Sequence, residues 1–403
     1  MDDRVRNLVT VIPIHHRHHC PPLEKTMNPD KSFPEFMNAI LTRSIDSSAS
    51  DIHCSVGEPI HFRIDGRLKK EDFTLLAENQ FTSKLAEEFA NSILTPSQLD
   101  QLASRGSVDG AFSINCGHRF RFNIYRRQGQ ISFSFRLLSN DIPSLDQLGL
   151  SSRLYEKCAL QDGLFLVVGP TGSGKSTTIA ALIDRINSQR ACHIITLEEP
   201  IEFIHPSQQS LVNQRQIGVD VENFHQALVD AVRQDPDIIL VGELRDVDTI
   251  RTAITAAETG HLVFASLHAG DCKTAIERLI SAYPAEEQDL AQRLVATVLR
   301  TIVVQHLLPR LSVKSQAPDP SVVPQRVLAS EVMHANQAIS NLIANANFNQ
   351  LSSIIQNSSD EGMWTLDDSL ARLWRQRLIS EHTAFSLARN PEILSQISLR
   401  SRA

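Results

Sequence analysis

No run of about eighteen apolar residues occurs in this 403-residue chain, so no stretch predicts a membrane-crossing helix. The N-terminus also lacks the apolar core of a signal peptide, and any membrane contact is expected to run through partners. Aromatic residues make up only 5%, and the six cysteines (Cys20, Cys54, Cys116, Cys158, Cys192, Cys272) lie far apart with no C-x-x-C pair. That spacing is a poor disulfide framework for a chain of this size and predicts reduced thiols in the cytosol. A basic excess is missing too: 39 Lys and Arg against 46 Asp and Glu leave a net charge of −7. Counterion release needs a strongly basic surface, so a general nucleic-acid binder is excluded, although a local basic patch stays open. Internal repeats and heptad runs are absent.

What is present is the composition of a soluble globular protein, 42% hydrophobic and 21% charged, long enough for two or three domains. Residues 1–32 stand apart. Their tract His15-His16-Arg17-His18-His19-Cys20-Pro21-Pro22 has no helical or strand period, and it reads as a disordered extension, because nothing nearby pre-organises a metal geometry. Met27 is a second candidate start.

From Phe33 a helical pattern (Phe33, Phe36, Met37, Ile40, Leu41) leads through Ser50 to Cys54 into Ile60 to Arg67, whose alternation ends in Asp65-Gly66 and predicts a strand entering a hairpin. Helical periodicity is expected from Leu75 to Leu102. Strands follow at Ala111 to Ile114, Arg119 to Tyr125 and Ile131 to Leu137, with turns at Cys116-Gly117 and Gln128-Gly129. This is an α+β domain over 33–138, closed by a linker over 139–150 that contains Pro143. Its last sheet is rich in arginine (Arg119, Arg121, Arg126, Arg127, Arg136), which taken alone describes a solvated strand face.

Gly169-Pro170-Thr171-Gly172-Ser173-Gly174-Lys175-Ser176 fits G-x-x-x-x-G-K-[ST], follows the apolar run Leu164 to Val168, and opens a helical segment that continues with Thr177. A phosphate-binding loop needs each part. Glycines let backbone N–H groups turn inward, the helix N-terminus adds its positive dipole end, Lys175 reaches the β- and γ-phosphates, and the Ser176 hydroxyl holds Mg²⁺. The strands His193 to Leu197, Ile238 to Val241 and Leu262 to Ser266 then alternate with helices, one of them carrying Phe224, Ala227, Leu228, Ala231 and Val232 on a single face. That βαβ order predicts a parallel sheet covered on both faces.

Glu198-Glu199, Gly242-Glu243 and Leu267-His268 follow those strands, at the sheet end where open α/β folds bind ligands. Glu243 can bind Mg²⁺ through water or orient the attacking water. Glu198 or Glu199 can polarise water or coordinate the metal, or one of them can cap a turn. His268 is placed to donate to a γ-phosphate, and His261 sits one strand earlier; a structural role is open for both. Beyond Gly270 the pattern is helical at Ile276 to Ile280 and from Leu290 to Leu308. A Pro-rich loop at Gln316 to Pro320 breaks it, Arg326 to Met333 offers one more strand, and helices follow, including a capping-box pattern at Thr365 to Asp368.

Three longer stretches carry a resemblance. Ile195-Thr196-Leu197-Glu198-Glu199-Pro200-Ile201-Glu202-Phe203 is similar to the aspartate box of the secretion ATPase superfamily. Asp235 to Asp246 is similar to its Walker B segment, Thr259 to His268 to its histidine box, and Leu211-Val212-Asn213-Gln214-Arg215 adds to the match. From about Phe33 to Ser386 the chain most resembles the pilus-retraction (twitching-motility, PilT-type) ATPases of type IV pili. That resemblance implies an α/β fold with a RecA-like P-loop NTPase core (151–310), a small PAS-like α+β domain before it and a mostly helical region after it (311–403). It implies a homohexamer using ATP and Mg²⁺ at the cytoplasmic face of the inner membrane, with a platform protein and other pilus ATPases as partners. It also implies Glu243 as catalytic glutamate, Glu198 as aspartate-box acid, His261 and His268 as the histidine pair, and Arg121 and Arg136 on the γ-phosphate. An arginine acting on the transferring group is typically worth ~10³ to 10⁵ in rate.

Two departures stand out. The family commonly has Glu-Asp where this chain has Glu198-Glu199, leaving Glu199 a second candidate metal ligand. Ala338-Ile339-Ser340-Asn341-Leu342-Ile343-Ala344-Asn345 resembles the retraction-linked motif Ala-Ile-Arg-Asn-Leu-Ile-Arg-Glu without its charges. The four-cysteine zinc module of the assembly and type II secretion relatives has no counterpart here, which points to the retraction branch. The alternatives are a secretion or conjugation ATPase of the same superfamily, and a non-hydrolysing nucleotide-binding regulator of another pilus ATPase.

Overall fold

The computed structural model describes residues 34–64, 67–73, 81–114, 117–138, 141–311, 326–392 and 394. The His-rich tract, Met27 and the Pro-rich loop at Gln316 lie outside them. The chain divides into two compact units, residues 1–137 and 138–403.

The first unit runs α1 (Glu35–Asp46), β1 (Asp51–Ser55), β2 (Ile60–Ile64), β3 (Arg67–Glu71), α2 (Ser83–Ile93), α3 (Pro96–Arg105), β4 (Ser107–Ser113), β5 (Arg119–Arg127) and β6 (Gln130–Leu138). Its sheet has the order β3-β2-β1-β6-β5-β4. Of the helical stretch expected from Leu75 to Leu102, residues 75–80 lie outside the described residues, and the rest forms two helices, because Pro96 cannot continue one and instead starts α3, where Thr95 and Gln98 form a capping box. Along β5 the side chains alternate: Phe120, Phe122 and Ile124 are buried with Phe62, Phe89, Phe133 and Phe135 in one core, and Arg119 and Arg121 take the other face. Between β5 and β6, Gln128 at φ 52° and Gly129 at φ 80° make a tight hairpin turn, which glycine adopts without steric cost.

The second unit runs β7 (Gly163–Val168), α4 (Lys175–Gln189), β8 (His193–Glu198), β9 (Leu211–Gln216), α5 (Phe224–Ala231), β10 (Ile238–Val241), α6 (Val247–Glu258), β11 (Leu262–Leu267), α7 (Cys272–Ile280), α8 (Gln288–Val298), β12 (Leu299–Pro309), β13 (Arg326–His334), α9 (Gln337–Ala344), α10 (Leu351–Asn357), α11 (Leu366–Arg375) and α12 (Glu381–Leu387). The sheet order is β13-β12-β7-β11-β10-β8-β9, parallel from β9 through β12, with β13 antiparallel at the edge. Every residue of β7, β10 and β11 is buried, as expected of central strands covered on both faces.

One expectation is corrected. The helix read from Leu290 to Leu308 stops at Val298, and β12 occupies the rest, paired with β7 and β13. Thr301-Ile302-Val303-Val304 is β-branched, stiff at χ1 and suited to a pleated, buried surface, and that outweighed the helical spacing. Thr365 and Asp368 do form the predicted capping box of α11.

An ion pair buried only at its acidic end ties the chain after α12 to the sheet. Glu331 on β13, 2% exposed, accepts from the Cys272 backbone N–H at 3.0 Å and from Arg389 Nη1. Arg389 Nη2 donates to the Gly270 carbonyl at 2.9 Å, holding the loop between β11 and α7.

Candidate active site

The loop after β7 is shaped by its glycines. Gly172 (φ 77°) and Gly174 (φ 90°) are left-handed, and a Cβ on Gly169 would lie 2.4 Å from the Gln305 carbonyl oxygen. Gly174 caps α4, and no side chain accepts from the first turn of that fifteen-residue helix, which leaves its N–H groups directed out of the N-terminus. Lys175 Nζ donates to the loop carbonyls of Gly169 at 3.0 Å and Pro170 at 3.1 Å. Burial pushes its pKa down, with the Glu243 and Glu202 carboxylates acting in the opposite direction. Inside the loop the buried Ser173 hydroxyl has no hydrogen-bond partner. Open amides at a helix N-terminus, one lysine and an unpartnered hydroxyl suit an anion such as a polyphosphate, so these residues fit nucleotide. Ser176, exposed in the first turn of α4, is the hydroxyl available to a metal beside it.

Three strand tips converge next to this loop. β11 lies between β7 and β10, so His268 at its end stands between the phosphate loop and Glu243. His268 Nδ1 lies 3.1 Å from the Gly169 carbonyl oxygen and Nε2 lies 3.0 Å from Glu243 Oε1. Facing a carbonyl, Nδ1 must be the donor, and Nε2 is turned to the Glu243 carboxylate. Arg278 Nη1 donates to the His268 carbonyl at 2.7 Å and fixes the backbone there. On the other side of Glu243, Arg245 Nε donates to Oε2 at 2.8 Å.

Gly242 makes this convergence possible. A Cβ there would come 3.0 Å from the Leu197 carbonyl oxygen and 3.3 Å from Glu198 Cα, so glycine lets the tips of β8 and β10 abut. Glu198 Oε1 accepts from Thr196 Oγ1 at 2.7 Å and Gln214 Nε2 at 3.1 Å. Burial pushes the Glu198 pKa up, against the pull of those two hydrogen bonds. Glu199 accepts from Arg245 Nη1 at 2.5 Å and precedes a cis bond to Pro200.

Glu198, Glu243, His268 and Lys175 therefore gather at the carboxyl end of the sheet. His261 does not join them. It precedes β11 at the strand's opposite end, roughly 20 Å from His268 at about 3.3 Å per residue, and its Nδ1 sits 3.0 Å from the Ala256 carbonyl oxygen. The histidine pair implied by resemblance is thus divided between the two ends of one strand. Arg121 and Arg136 belong to the first unit, where Arg136 Nε pairs with Asp51 Oδ1 at 2.8 Å. Arg245, Thr196, Gln214 and Arg278 were not singled out from the sequence. The one available signal was an arginine two residues beyond Glu243, close enough to fold back on it.

A profile of the type II/IV secretion system protein family matches residues 27–379. The type IV pilus retraction ATPase PilT of Pseudomonas aeruginosa is 36% identical over 353 residues, covering 88% of this chain and 98% of its own. A twitching motility protein of Neisseria gonorrhoeae is 38% identical over 313 residues, covering 77% of this chain and 81% of its own. The crystal structure of the pilus retraction motor PilT with bound ADP superposes with a TM-score of 0.79 at 37% identity, covering 89% of this chain and 98% of that one. With its phosphate loop, its strand-tip carboxylates and a match over most of its length, the chain belongs to the type II/IV secretion system protein family and is a nucleotide-binding ATPase of that family.

Proposed function

We propose that this protein is the Mg²⁺-dependent ATPase of a type IV pilus, working as a homohexamer to retract the fibre against an inner-membrane platform protein. The observation that carries the retraction reading is a relative with that activity in its name, matched across 98% of its length. For hydrolysis, the support is the chain from Gly169 through His268 to Glu243 beside Lys175.

The residues divide the work as follows. The first turn of α4 and Lys175 bind the β- and γ-phosphates, and Ser176 holds the metal. When bound, Mg²⁺ neutralises charge on the phosphate oxygens. Glu243 accepts a proton from the attacking water or orients it, and Glu198 supports it from the next strand. His268 holds Glu243 through Nε2, and Nδ1, which faces the Gly169 carbonyl, is the nitrogen that would turn to the γ-phosphate. Arg121 and Arg136 bring positive charge to the transferring phosphoryl group, a role that rests on resemblance. The protein works at the cytoplasmic face of the membrane, held there by its partners.

Deleting the gene and counting surface pili tests this reading. Retraction loss leaves more fibres than wild type, whereas a bald cell shows an assembly motor. A secretion ATPase is the second reading. It is favoured by α9, where Ile339 and Ile343 stay buried while Ser340, Ala344 and Asn345 carry no charge at the motif's charged positions. Unchanged fibres with a retained secreted substrate would select it.

A further inference from the structure

Glu199 and Glu243 emerge from abutting strand tips. Leu197 pairs with Val241, and the Gly242 N–H donates to the Leu197 carbonyl at 2.7 Å. Two carboxylates at adjacent tips repel unless a cation lies between them. Arg245 is that cation, giving Nη1 to Glu199 at 2.5 Å and Nε to Glu243 at 2.8 Å. Because a guanidinium is a rigid plane, fixing one donor fixes the direction of the others. Glu199 thereby sets where Arg245 points, and Arg245 sets the plane of the Glu243 carboxylate, whose second oxygen is held by His268 at 3.0 Å.

We propose that Glu199 is a positioning residue for Glu243, acting through Arg245, and not a ligand of the metal. This deepens the ATPase reading and rests on it. The length of the glutamate matters to this contact, since an aspartate here would fall short of the guanidinium by about one C–C bond, ~1.5 Å. Each Glu243 oxygen keeps a second lone pair after these contacts, so the clamp leaves the carboxylate able to accept from a water. The ion pair is at the surface, with side chains 53% exposed for Arg245 and 41% for Glu199. Exposed pairs contribute little to folding, so variants at either position are expected to fold.

The test uses the full chain with Glu199→Gln, Arg245→Ala and both together. Steady-state phosphate release gives kcat and KM, and electron paramagnetic resonance gives the affinity for Mn²⁺ with ADP bound. Misplacement of a catalytic group by about 1 Å can cost up to 10²-fold in rate, so each single variant is expected to lower kcat about tenfold with KM for ATP unchanged. The double variant is expected to be no slower than the slower single one, because two residues acting through one contact are not additive. Mn²⁺ affinity is expected to stay at the wild-type value. Weakening of Mn²⁺ binding by Glu199→Gln alone overturns the proposal in favour of a metal ligand, and additive losses or an unchanged kcat overturn it outright. Wild-type protein releasing no phosphate above Lys175→Ala removes the ATPase reading first, and the positioning role with it.

Discussion

His268 reaches Glu243 with one ring nitrogen, at 3.0 Å, while its other nitrogen lies 3.1 Å from the carbonyl of Gly169, the first residue of the phosphate loop. The two contacts make the ring a strut between the group that binds phosphate and the group that handles water. His268→Ala is expected to lower kcat about 10²-fold, the lower end for a lost acid–base or orienting partner, with ATP affinity nearly unchanged. Phosphate release checks the first part and fluorescent-nucleotide titration the second; a change confined to KM would assign the ring to ground-state binding instead.

Lys175→Ala removes the loop's cation while leaving its glycines in place. A ligand at a hundred times its Kd stabilises a folded protein by about 2.7 kcal/mol, so saturating ADP should raise the wild-type melting temperature and leave that of Lys175→Ala unmoved. An equal shift in both proteins would place the nucleotide elsewhere.

Arg136 offers a test of the arginines in the first unit. Arg136→Ala is expected to cut turnover by roughly 10³-fold if its charge acts on the phosphoryl group, without loss of ATP binding. The substitution also strips a partner from Asp51, so Asp51→Asn serves as a control for that lost contact. Equal losses in both variants would point to disruption of the sheet.

Acid should weaken the protein through His334. Burial, helped by the Lys157 charge, pushes its pKa down to about 4, and its Nδ1 sits 3.0 Å from Thr301 Oγ1. Above the usual histidine range the ring is neutral in both folded and unfolded chains and has no effect on their balance. As pH falls from about 6.5 towards 4 the unfolded chain takes up a proton that the folded one refuses, costing about 3 kcal/mol by the end of that interval. His334→Gln should flatten the fall by that amount in denaturant titrations at pH 7 and pH 4. Parallel curves for the two proteins would exclude the histidine as the source.

Much of the core was legible because its physics leaves marks in single residues. Strands buried on both faces must be apolar throughout, so Leu164 to Val168 and Leu262 to Ser266 could be read directly. A loop that turns amides inward needs glycine, and Gly172 and Gly174 record it. β12 was misread because the apolar spacing of the preceding helix runs on into it, and the β-branched run Thr301 to Val304, paired with β7, was given too little weight. The bridge from Glu199 to Arg245 spans forty-six residues of chain, and no periodicity connects such a pair. His261 and His268 belong to one box of consecutive residues, yet the strand between them separates them by its own length.

The Glu331–Arg389 pair has a practical consequence for handling the protein. Arg389 is the cation facing a carboxylate that is itself buried, and a buried charge left without its partner is destabilising. A shortened version that stops at the end of α12 would keep every strand and helix named above, yet it would lack Arg389, strand a carboxylate in the interior and release the Gly270 carbonyl two residues beyond His268. Any trimmed form made for crystallisation or tethering should therefore retain the chain through Asn390, whose backbone N–H donates to Asp367 at 3.0 Å.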